Sequence, residues 1–66
     1  MKIRINGQTM EVDEGATLGR VLAGLDIPLK GTAVEVNREI VPRRLLEATP
    51  VREGDAVEVI RMVGGG

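Results

Sequence analysis

The 66-residue chain has no histidine, no cysteine and no serine. Serine–histidine–aspartate and cysteine–histidine nucleophiles are therefore impossible within it, as are zinc sites built on imidazole or thiolate. No disulfide can staple the fold. Phenylalanine, tyrosine and tryptophan are absent too. The core must be aliphatic, and there is no aromatic platform on which nucleic-acid bases could stack. Neither sign of charge dominates: nine Lys and Arg stand against ten Asp and Glu, for a net charge of −1. That removes the electrostatic case for a nucleic-acid partner. Apolar runs are only a few residues long, so neither a membrane span nor a signal peptide is expected, and a cytoplasmic location is. The carboxylates lie scattered among arginines and alternate with apolar residues, which is the pattern of a solvated surface. The reading is a chain that is not itself an enzyme, with no catalytic residue, no metal site and no bound cofactor.

What is present is strong local patterning. Lys2-Ile3-Arg4-Ile5-Asn6 and Gln8-Thr9-Met10-Glu11-Val12-Asp13 alternate polar and apolar residues around Asn6-Gly7. Alternation marks half-buried strands, and Asn-Gly is the strongest short hairpin signal. Ile3, Ile5, Met10 and Val12 are expected to face inward. Thr17 stands where a helix N-cap belongs. Leu18, Val21, Leu22 and Leu25 then follow at i, i+3, i+4 and i+7, one face of a helix. Gly19 and Gly24 weaken that helix, and Pro28 ends it, with Asp26-Ile27 as its last turn or exit. Thr32 to Asn37 alternates as a third strand, and Asn37-Arg38-Glu39 is a tight turn. Ile40-Val41 is a short extended piece, placed at an edge by Pro42. Residues 43–50 read as irregular, with room for one helical turn. Glu53-Gly54-Asp55 turns into a last strand spanning Ala56 to Val63.

The order is β-β-α-β-β-β. An α+β mixed sheet of about five strands with one helix across one face satisfies the two-layer rule. This is a β-grasp, or ubiquitin-like, fold over residues 1–63. Residues 64–66 are expected to form a flexible glycine tail. Three glycines gain little from order, reach at most about 10 Å, and would pass a channel that excludes every other residue. The terminal carboxylate, with a pKa of about 3.5, is the only obvious chemical handle. In the last strand Val57 and Val59 match the inward phase, which throws Ile60 and Met62 onto the opposite face. A loop could cover that face. The alternative is an exposed patch of Ile60, Met62 and Val63 for docking partners beside the tail. Arg38, Arg43 and Arg44 read either as solvated surface or as steering toward an acidic partner. Asn37 is read as supporting its turn rather than chemistry.

Val36-Asn37-Arg38-Glu39-Ile40-Val41-Pro42-Arg43, Glu53-Gly54-Asp55 and the terminal glycines resemble the ThiS family of sulfur carriers of thiamine biosynthesis. The resemblance covers essentially the whole chain. It implies that a ThiF-like adenylyltransferase uses ATP to adenylate the carboxylate of Gly66. A sulfur-donating enzyme then makes it a thiocarboxylate, and thiazole synthase receives the sulfur. Gly64 and Gly65 would be the arm that fits the partner's channel. Three terminal glycines depart from the commoner two, and Arg61-Met62-Val63 stands where many relatives carry an aromatic residue. A carrier of the same chemistry for molybdopterin or another client, and a ubiquitin-like protein modifier, are the alternatives.

Overall fold

Asn6 and Gly7 both take positive φ, 49° and 84°, as a type I′ turn requires. They join β1 (Lys2–Ile5) to β2 (Gln8–Glu11) with Ile5 opposite Gln8. A computed structural model describes residues 1–62 of the chain in this way. The helix α1 (Leu18–Gly24) starts where expected: the Thr17 hydroxyl accepts from the Arg20 amide at 3.2 Å. It closes before Pro28 is reached. Asp26 adopts a left-handed φ of 58°, while the Ile27 and Asp26 amides donate back to the carbonyls of Leu22 and Ala23. This is a Schellman closure with aspartate in the position glycine usually fills.

Strands β3 (Thr32–Val36) and β4 (Glu39–Val41) form a second hairpin through Asn37 and Arg38, again both at positive φ. A 3₁₀ helix, Arg43–Ala48, follows where the sequence leaves room for a short helical turn over Arg43–Glu47. The last strand, β5 (Ala56–Arg61), enters the middle of the sheet, whose order is β2-β1-β5-β3-β4. It runs parallel to β1 and antiparallel to β3. Among the described residues its ladder ends at Arg61, opposite Thr32 where β3 begins, and Val63, the expected end of the strand, lies outside them.

One face of the sheet supplies Ile3, Ile5, Val34 and Val57 to the core, and α1 adds Leu18 and Leu22. Leu46 and Val51 complete it from the connection between β4 and β5. That connection is stitched to the start of α1: the Leu18 amide donates to the Thr49 carbonyl at 2.8 Å, and the Val51 amide to the Ala16 carbonyl at 2.9 Å. Gly19 lets the two meet, since a Cβ there would stand 2.8 Å from Glu47 Oε1 and 3.3 Å from Glu47 Cα. The glycine that weakens the helix is thus what allows it to pack. Met10 and Val12 point inward but are only half-buried, because β2 is an edge strand and α1 is too short to cover it fully.

Candidate functional site

The candidate site is the end of β5 and the face of the sheet that α1 leaves open. Alternation along β5 decides which residues reach it. Val57 is buried and Val59 half-buried, so Ile60 falls outward and is 47% exposed; Met62, just past the strand, is 63% exposed. Across β3, Ala33 pairs with Ile60 on the same face. Ile40 of β4 pairs with Glu35, which pairs in turn with Glu58, and Ile40 is 71% exposed. Ile60, Ala33, Ile40 and Met62 therefore make an apolar strip crossed by the carboxylates of Glu35 and Glu58. The exposure of Ile60 and Met62 agrees with the phase of the strand. Ile40 was not in that patch as read from sequence. The pattern tells only that one of the two is outward, since consecutive apolar residues in a strand, Ile40-Val41, must send one to each face.

β5 is held on both sides by turn asparagines. The Val59 amide donates to Asn6 Oδ1 at 2.8 Å, and Asn6 Nδ2 reaches the Val59 carbonyl at 3.4 Å. On the other flank the Ala56 amide donates to Asn37 Oδ1 at 3.0 Å, and Asn37 Nδ2 donates to Asp55 Oδ1 at 3.1 Å. Asp55 Oδ2 also accepts from the Arg52 amide at 2.8 Å. Asn37 thus supports its turn, and Asp55 is engaged in shaping the entry to β5. Among the described residues the last anchor of the strand is the Met62 amide, which donates to the Gly31 carbonyl at 2.9 Å. Val63, Gly64, Gly65 and Gly66 lie outside the described residues. Arg38, Arg43 and Arg44 are exposed, the first at the tip of the second hairpin and the others in the 3₁₀ helix. Among the described residues no cluster of carboxylates could hold a metal ion, and no helix is long and apolar enough to cross a membrane.

A mixed five-stranded sheet that grips one helix and carries its last strand in the centre defines a small β-grasp protein of the ubiquitin-like class. The crystal structure of a thiamine biosynthesis protein (ThiS) from Geobacter metallireducens superposes with a TM-score of 0.84 at 35% identity, over the full length of both chains. The model of the ThiS family matches residues 3–66, and the chain belongs to that family. It is 33% identical over 66 residues to the sulfur carrier protein ThiS of Escherichia coli, covering all of both chains. It also aligns over its whole length, at 38% identity, with a thiazole synthase from Magnetococcus marinus, of which it spans 20%.

Proposed function

We propose that this chain is a cytoplasmic sulfur carrier that serves thiazole formation in thiamine biosynthesis. The observation that carries this reading is the family match, which runs through Gly66. The Gly66 carboxylate attacks the α-phosphorus of ATP on a partner adenylyltransferase, and pyrophosphate leaves. A donor enzyme's sulfur, at the sulfide level, then attacks the acyl carbon and expels AMP. One carboxylate oxygen is thereby replaced by sulfur. The thiocarboxylate sulfur is a better nucleophile than a carboxylate oxygen and passes to thiazole synthase. The carrier needs no catalytic side chain for any of these steps, in keeping with a sequence that has no histidine, cysteine or serine. The thiazole synthase relative that contains a stretch like this chain favours that client over molybdopterin.

In this reading the apolar strip of Ile60, Met62 and Ile40 docks partners while Gly64 and Gly65 thread the last residue into the active centre. Val63 joins the strip to the arm. The test is intact mass after incubation with an adenylyltransferase, ATP and a sulfur source. Gain of one sulfur for one oxygen is expected, and deletion of Gly65-Gly66 abolishes it. A chain that stays unmodified with a competent enzyme overturns the proposal. Ile60→Asp is expected to weaken docking and leave the fold intact; an unfolded variant would place Ile60 in the core instead.

A further inference from the structure

An open groove of about 680 Å³ lies between β2 and α1, away from the strip on the opposite face of the sheet. Its floor is apolar: Met10 and Val12 on one side, Val21 and Leu25 on the other, all half-buried against the core. Its rim is acidic, with Glu11, Asp13 and Glu14 exposed along the hairpin side and Arg20 on the helix.

The strand beside the groove is an open edge. The Val12 amide donates to the Met1 carbonyl, and the Met1 amino group to the Val12 carbonyl. Those two residues form a hydrogen-bonded pair. In an antiparallel ladder such pairs alternate, so Met10 and Gln8 also bond inward to β1, and the backbone groups of Thr9 and Glu11 turn away from the sheet. Among the described residues no loop or turn backbone bond reaches them. The opposite edge is guarded. β4 has three residues and stops at Pro42, whereas β2 is one residue longer and carries neither proline nor lysine, with Glu11 its one charge.

We propose that β2 and the groove beside it receive an extended segment of a partner polypeptide, added to the five-stranded sheet as one more strand. Backbone bonds to Thr9 and Glu11 give it register, and alternate side chains descend onto Val21 and Leu25. The occupant has apolar residues at alternate positions and lysine or arginine beside them, because the hairpin side of the rim is carboxylate. The same rim disfavours a second copy of this chain, which would bring a second set of Glu11, Asp13 and Glu14 carboxylates to the same edge. The site shares no residue with the arm or with the outer strip.

The test is an NMR titration of the full ¹⁵N-labelled chain with the acetylated, amidated peptide Lys-Lys-Val-Thr-Val-Thr-Val-Lys-Lys. A control peptide carries glutamate in place of every lysine. Saturable shifts are expected at residues 9–16 and 21–25, with slowed hydrogen exchange at the Thr9 and Glu11 amides. The control should bind at least about tenfold more weakly. Thr9→Pro removes an outward amide that β1 does not use, and should lower affinity by about tenfold or more. If that variant fails to fold, Glu11→Lys with Asp13→Lys should reverse the preference between the two peptides. No shifts at millimolar peptide, equal binding of both peptides, or shifts centred on Ile40 and Ile60 would overturn the proposal.

Discussion

The two hairpins of this small sheet solve the same problem with different residues. Both turns have two residues, both open with asparagine, and both need positive φ twice: 49° and 84° at Asn6-Gly7, 51° and 72° at Asn37-Arg38. Glycine meets that demand freely in the first. In the second an arginine meets it, although a Cβ in the left-handed region costs about 1–2 kcal/mol. The common element is the asparagine side chain, which in each turn reaches sideways to β5 instead of folding back on its own hairpin. The lesson is that these turns are fixed by the strand they flank as much as by their own conformational preferences. Glycine is the easy choice at the second position, and the clasp makes it dispensable.

Removing the clasp where the turn is already strained should have the largest effect. Asn37→Ala loses the bonds to Ala56 and Asp55 and leaves alanine in a left-handed position; we expect a loss of about 2 kcal/mol. Far-UV circular dichroism during urea denaturation measures it, since the chain has no tryptophan or tyrosine to report fluorescence. Asn6→Ala should cost about 1–1.5 kcal/mol on the same scale, because glycine relieves its neighbour and one of its two contacts is long at 3.4 Å. A cost to Asn6→Ala larger than that of Asn37→Ala would reverse the comparison. Gly7→Ala isolates the conformational cost. A Cβ there meets nothing within 4 Å, so a loss of about 1 kcal/mol is expected without any packing change in the ¹⁵N spectrum. The smallest effect carries the opposite sign: Arg38→Gly relieves the strained position and should stabilise by about 0.5 kcal/mol, part of the relief being offset by the freer unfolded chain. If it destabilises instead, the arginine is held by contacts of its own.

The pattern of these elements was largely visible in the chain. Alternation at Ile3 and Ile5, the Asn6-Gly7 and Asn37-Arg38 turns and the Thr17 cap each depend on neighbours close in sequence, and local signals report such things well. Leu46 was hidden because a 3₁₀ turn has no long period to recognise. Its complete burial follows from the bonds that tie Thr49 and Val51 to the start of α1, a partner some thirty residues away. Gly19 reads as a flaw in the helix until Glu47 is set beside it. At the site, the exposure of Ile60 and Met62 follows from counting along one strand. The place of Ile40 beside them needs the strand order, which alternation does not contain. The asparagine clasps were illegible for the same reason: each acts on a strand about twenty to fifty residues downstream.

The central place of β5 has a mechanical consequence. Tension on the chain beyond Met62 runs along the axis of a strand with neighbours on both sides. The bonds to β3, those to β1 and the two asparagine clasps are then loaded together in shear, whereas an edge strand would peel away bond by bond. A machine that draws in the chain end thus hauls on a rope knotted through the middle of a net. Among the described residues the bond between Met62 and Gly31 is where such a load is first met, and the folded domain behind it is the part that cannot follow.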